Sequence, residues 1–170
     1  MGIESINFKK PYSMIEERSY IMGTQKEALA LNHQANQYAL ELRYSQAIIY
    51  YRQALTIYLQ LAKREPEEYS LAIAHIFSNL AIVYLNLEQP KKSNELHQNA
   101  LRMHRVLAKT DPQRYAIDFV RCLIDGVRYL NQHSLSLYEA EIVLNQIIHA
   151  KGAEKLVRVI RKLHSLSVVS

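Results

Sequence analysis

The chain has a single cysteine, no tryptophan, and only four glycines and four prolines among its 170 residues. One cysteine excludes an intrachain disulfide and a cysteine-based metal cluster, and it suits a reducing, cytoplasmic setting. So few glycines and prolines leave too little punctuation for a many-stranded sheet. Ala, Leu, Ile, Gln, Arg and Glu are plentiful instead, so an all-α fold is expected. Arg, Lys, Gln, Asn or His interrupts every hydrophobic run before the roughly 18 apolar residues that a membrane span requires. Residues 1–11 lack the apolar stretch of a secretory signal and carry Glu4, Lys9 and Lys10. Ile6 stands where a myristoylation motif starting at Gly2 needs Ser or Thr. Also missing are a Gly-rich phosphate loop, a nucleophile elbow, a HExxH pairing and any recognisable pair of catalytic carboxylates. No enzyme class, metal or cofactor is therefore indicated.

What the chain does contain is a repeat. Ala35, Tyr38, Ala54, Leu55, Leu61, Ala62, Lys63, Pro66 and Tyr69 recur 46 residues later as Ala81, Tyr84, Ala100, Leu101, Leu107, Ala108, Lys109, Pro112 and Tyr115. A fixed period of this size marks stacked supersecondary units, each too small to bury its own apolar face. Within each unit the apolar residues recur at three and four, as on one face of a helix. Ala28, Leu31, Ala35, Tyr38, Ala39 and Leu42 place a first A helix over residues 24–43. Ala47, Ile48, Tyr51, Ala54, Leu55, Tyr58, Leu61 and Ala62 place its B partner over 45–64. Glu65-Pro66, Gln89-Pro90 and Asp111-Pro112 are helix boundaries, because proline disfavours helical geometry in the residue before it yet fits a first helical turn. They bound helices at about 67–87, 90–110 and 113–131, followed by another over 135–150 after a slightly longer turn.

Three units, 24–66, 67–112 and 113–150, thus follow a lead segment, 1–23, in which residues 14–18 are a candidate short helix. Gly152 reads as a breaker. Beyond it Ala153, Leu156, Val157, Ile160 and Leu163 line one face of a last helix, and Lys155, Arg158, Arg161 and Lys162 the other. A stack needs a terminal element with a polar outer face, and this basic helix within 151–170 is read first as that cap. Of the net charge of +5, the last twenty residues supply four units, with five basic residues against one acid. Such a helix can also bind an acidic partner, an anionic membrane or nucleic acid. Without interleaved aromatics, nucleic acid is disfavoured. Cys122, within Val120, Leu123 and Ile124, reads as a small buried hydrophobe. His97 and His104 lie two turns apart, roughly 10 Å by the helical rise, and read as packing residues. Most of the twelve tyrosines read as core, with Tyr50 the candidate exception.

The small and aromatic positions resemble the tetratricopeptide repeat family. Ala35, Tyr38, Ala47, Tyr51 and Ala54 carry the resemblance in the first unit, and Ala81, Tyr84, Ser93, His97 and Ala100 in the second. Val127, Leu130, Ala140, Leu144 and Ile147 keep only the apolar outline in the third. The helices are longer than the common pattern of about 34 residues. The usual tryptophan is replaced by Leu31, Phe77 and Leu123, and the whole looks like a long-helix branch, similar in outline to kinesin light chain repeats and to many bacterial helical-repeat proteins. The resemblance implies a right-handed superhelix of about three helix pairs whose A helices line a concave groove. Groove candidates are then Asn32, Asn36, His75, Ser78, Asn79, Ile82, Arg121, Ile124, Asp125 and Arg128. One branch of the family clamps a partner's C-terminal carboxylate with a Lys, Asn, Asn, Lys, Arg set. Here the matching positions read Asn32, Asn36, Asn79, Arg121 and Asp125, and the final acid would repel that ligand. The expectation is an adaptor or scaffold holding a peptide or helix of another protein. A chaperone-like role is one alternative, and self-association through an exposed apolar end such as Val168 and Val169 is another.

Overall fold

The computed structural model describes residues 24–130, 135–147, 149 and 152–167. The candidate lead helix and the tail valines lie outside these residues. Seven α-helices and no strand occur among the described residues: α1 (Gln25–Leu40), α2 (Tyr44–Leu61), α3 (Pro66–Asn86), α4 (Pro90–Thr110), α5 (Pro112–Leu130), α6 (Leu135–Gln146) and α7 (Ala153–Ser167). The fold is all-α, as expected. The 46-residue offset reappears in the helix starts, from Tyr44 to Pro90 and from Pro66 to Pro112.

The prolines act where local geometry dictates. Pro66, Pro90 and Pro112 each open a helix, and Glu65, Gln89 and Asp111 before them are held out of helical geometry at ψ 69°, 66° and 88°. Thr24 caps α1, its hydroxyl accepting from the Glu27 N–H at 3.2 Å. That leaves Thr24 outside the helix it was expected to begin. The turns closing α1 and α3 are copies of each other. Leu42 and Glu88, 46 residues apart, both adopt left-handed backbone with φ of 59° and 56°. The next residues close the turns, the Arg43 N–H reaching the Tyr38 carbonyl at 2.8 Å and the Gln89 N–H the Tyr84 carbonyl at 2.9 Å. This bond pattern satisfies helix-end carbonyls and usually employs glycine. Neither residue is one, so α1 stops short of the expected 43 without any glycine to announce it; α2 ends at Leu61 rather than 64. Gly152, at φ 97°, takes the left-handed conformation before α7 as its sequence position suggested.

Each A helix packs on the B helix that follows it, α1 on α2, α3 on α4 and α5 on α6. Each B helix packs in turn on the next A helix, and α1 meets α3, α3 meets α5 and α5 meets α7. The small residues explain the close approach. Ala35, Ala47, Ala54, Ser93, Ala100 and Ala140 are completely buried, and Ala81 nearly so. At the α3–α4 crossing the Ser93 hydroxyl donates to the Ala81 carbonyl at 2.7 Å. Tyr51, Tyr84, His97, Leu144 and Ile147 fill the space beside them and are also buried. Phe77 and Leu123 are core residues.

α3 runs through the centre of this core, with Ile73, Ile76, Phe77, Leu80 and Val83 all buried. Each such side chain stabilises the fold by about 1.5–3 kcal/mol relative to exposure. α3 is also the one described helix long and apolar enough to cross a membrane by length and composition. Its burial against α2, α4 and α5 accounts for that hydropathy. Arg105 grips Glu139 with two bonds of 2.9 Å, tying α4 to α6, and His164 lies 3.2 Å from Glu141, tying α7 to α6.

Candidate functional site

The polar residues expected on the A helices divide into three groups. The first joins α1, α2 and α3. Asn36 Oδ1 accepts from the Tyr51 hydroxyl at 2.6 Å and from Asn79 Nδ2 at 3.1 Å. Burial pushes the Tyr51 phenol up to about 12, so it stays a donor at any physiological pH. One turn before Asn36, the Asn32 Oδ1 is buried and has no hydrogen-bond partner among the described residues. Asn36 and Asn79 are thus partners of each other rather than two independent contacts for a guest.

The second group joins α3 to α5 through a residue that sequence reasoning missed. Asp118 Oδ1 lies 3.5 Å from His75 Nε2 and 3.5 Å from Arg121 NH1. The hydrogen bond from His75, with the nearby Arg121 charge, holds the Asp118 carboxyl below the usual carboxylate range. His75 also sits over His104, ring centroids 5.4 Å apart. His104 is buried on α4, its Nδ1 without a partner among the described residues. Burial, reinforced by His75, drives its pKa down to about 4. His104 is therefore neutral in the folded protein. A signal for Asp118 was available, because it lies one helical turn before Arg121 on the same face of α5.

The third group surrounds a cleft between the end of α3, the start of α4 and the end of α5. Its empty volume is about 290 Å³, and Ser78, Ile82, His97, Cys122, Asp125 and Tyr129 line it. Asp125 is partly buried, and desolvation lifts its carboxyl from 3.8 to about 6 against the pull of Arg128 and Arg121. Neither arginine forms an ion pair with it among the described residues. Arg121 is turned to Asp118, and Arg128 is exposed, its guanidinium 5.9 Å from the Tyr129 ring centroid. The Ser78 hydroxyl faces the Cys122 thiol, a weak partner, and meets no other among the described residues. Burial pushes the Cys122 thiol up to about 12, so it is not a thiolate at neutral pH.

Two expectations are corrected. Ile124 is a core residue, 3% exposed, because α5 turns that side of the helix inward. Tyr50 is not set apart from the packing tyrosines, for its ring lies 5.1 Å from that of Tyr38. Of the remaining candidates, Arg121 and Arg128 are exposed, whereas Asn32, Asn36, His75, Ser78, Asn79 and Asp125 are half-buried. No group of three or more metal-ligating side chains is gathered among the described residues. Lys155, Arg158, Arg161 and Lys162 are all exposed on α7, opposite buried Ala153 and Ile160. Comparison with known proteins returns no matching family model, no matching curated protein and no matching solved structure.

Proposed function

We propose that the chain is a long-helix tetratricopeptide-like stack, wound as a right-handed superhelix. It serves as a non-enzymatic adaptor, holding a peptide or helix of a partner protein against the A helices α1, α3 and α5. The observation that carries this reading is a continuous polar strip across three successive A helices. It runs from Asn32 and Asn36 through His75, Ser78 and Asn79 to Asp118, Arg121, Asp125 and Arg128. Cross-links Asn36–Asn79 and His75–Asp118 join the helices that bear it, so the strip is preorganised, which lowers the ordering cost of binding. The exposed Arg121 and Arg128 offer donors to a guest backbone or side chain. A cytoplasmic setting goes with this reading, since a lone cysteine forms no intrachain disulfide.

The test is affinity capture of the partner with immobilised protein. Arg121→Ala combined with Arg128→Ala removes two exposed groups of the strip without breaking either cross-link between A helices. Capture should fall at least tenfold while far-UV circular dichroism is unchanged; undiminished capture refutes the A-helix surface. A second reading attaches to the four exposed cations of α7. Salt-sensitive retention on heparin that disappears when all four become Glu would favour it, and retention unaffected by those changes would exclude it.

A further inference from the structure

The 46-residue offset places the two junctions between A helices in one register and shows where they differ. Asn36, Tyr51 and Asn79 at the first junction correspond to Ile82, His97 and Asp125 at the second. In the first, the three side chains close on one another through the 2.6 Å and 3.1 Å bonds to Asn36 Oδ1. In the second, an isoleucine stands where the accepting amide would be, and it can offer Asp125 no hydrogen bond. The equivalent space is the cleft of about 290 Å³, which Ile82, His97 and Asp125 all line. What is an internal hydrogen-bond cluster at one junction is, at the next, an open site whose carboxylate has no partner among the described residues.

From this we infer that the cleft receives a lysine or arginine side chain carried on an otherwise apolar segment of a partner protein. The inference rests on the adaptor reading above and specifies its ligand. The space of about 290 Å³ includes open solvent at the mouth, so a guest side chain would lie along the mouth with its cation toward Asp125 rather than fill an enclosed cavity. Asp125 supplies the charge that recognises the guest cation. Ile82 and Tyr129, 39% and 48% exposed at the mouth, supply apolar surface for its methylene stem and its neighbours. The other groups around Asp125 do not replace the guest. From α5, exposed Arg121 lies 3.5 Å from Asp118 rather than on Asp125, and exposed Arg128 is screened by solvent. From α4 comes the His97 ring, and from α3 the uncharged Ser78 and Ile82. A paired carboxylate returns toward its ordinary pKa, so binding is complete when Asp125 is ionised and is lost as pH falls through about 6.

The experiment titrates the protein with the blocked tripeptides Ac-Ile-Arg-Leu-NH2, Ac-Ile-Gln-Leu-NH2 and Ac-Ile-Glu-Leu-NH2, following backbone amide resonances of Ile82, Cys122 and Tyr129 by NMR. The arginine peptide should bind saturably, at least tenfold more tightly than the other two at pH 7.5 and about tenfold more weakly at pH 5 than at pH 7.5. Asp125→Asn, which keeps the shape and removes a desolvated charge, should abolish the preference for arginine. Equal or tighter binding of the glutamate or glutamine peptide overturns the inference, as does an arginine preference that survives in Asp125→Asn. The peptide comparison on unaltered protein stands even if that variant folds poorly. The two readings fail separately. Arginine-specific binding with no partner captured on the A-helix strip would refute the adaptor, whereas partner capture without arginine preference would refute only the cleft's ligand.

Discussion

Between pH 8 and pH 5 two groups, buried His104 and half-buried Asp125, pull the stability of this protein in opposite directions, and single substitutions should separate them. His104 has a pKa of 6.5 when unfolded and about 4 when folded. The unfolded chain therefore takes up a proton first as pH falls, which destabilises the native state by about 2 kcal/mol at pH 5 relative to pH 8. Asp125 has the reverse sign. Its carboxyl titrates at 3.8 unfolded and about 6 folded, so the native state binds the proton first and gains about 1.4 kcal/mol over the same interval. That figure is an upper value because one side of the carboxyl opens to solvent. Asp118, held below its usual range, loses its contribution only under pH 3.8 and stays out of this window. The unsubstituted protein should thus lose only about 0.6 kcal/mol from these two groups. Asp125→Asn should lose about 2 kcal/mol, and His104→Leu should gain about 1.4 kcal/mol, over the same step. The other titrating groups, buried His97 among them, contribute alike to all three proteins and cancel in the differences. Urea unfolding followed by circular dichroism at both pH values, at one ionic strength, measures the differences. If His104→Leu keeps the pH dependence of the unsubstituted protein, the buried neutral imidazole is not the source of acid sensitivity and the reasoning fails.

At the α3–α4 crossing, Ser93→Leu should destabilise by about 1–3 kcal/mol through overpacking. Ser93→Ala, which removes only the 2.7 Å bond to the Ala81 carbonyl, should cost about 1 kcal/mol or less, and equal losses in thermal unfolding would contradict close helix approach as the cause. The Cys122 thiol, pushed up to about 12 by burial, should react with an aromatic disulfide at pH 8 at a rate that tracks unfolding and rises steeply in urea. Rapid labelling of the native protein, complete before any loss of helicity, would show that the α5 face bearing it opens freely.

The helices were largely legible because their signals are local. Proline at 66, 90 and 112 sets three helix starts, and the apolar spacing identifies the faces that become buried. α4 begins and ends where expected, at Pro90 and Thr110. The early stop of α1 at Leu40 was not legible, since Leu42 carries no glycine signal and takes φ 59° only because the turn to α2 requires it. Candidate polar residues were legible as positions on a helix face, but their partners were not. Nothing in the spacing of Asn36 and Asn79 says that they share a hydrogen bond, and nothing beside Asp118 announces His75, 43 residues earlier. The misplaced Ile124 has the same origin. Residues at neighbouring helical angles differ in exposure according to which helix lies alongside.

The amino-acid sequence by itself determined an all-helical chain with a 46-residue period and small residues where helices cross, because propensity, proline geometry and apolar spacing act over a few turns. Only tertiary structure decided which polar groups neutralise one another. Asn79 and Asp125 occupy equivalent positions, yet one is bonded across to α1 while the other stands in an open cleft. The physical reason is that the charge state and availability of a side chain depend on the desolvation and partners that neighbouring helices impose, and these arise only when the helices pack.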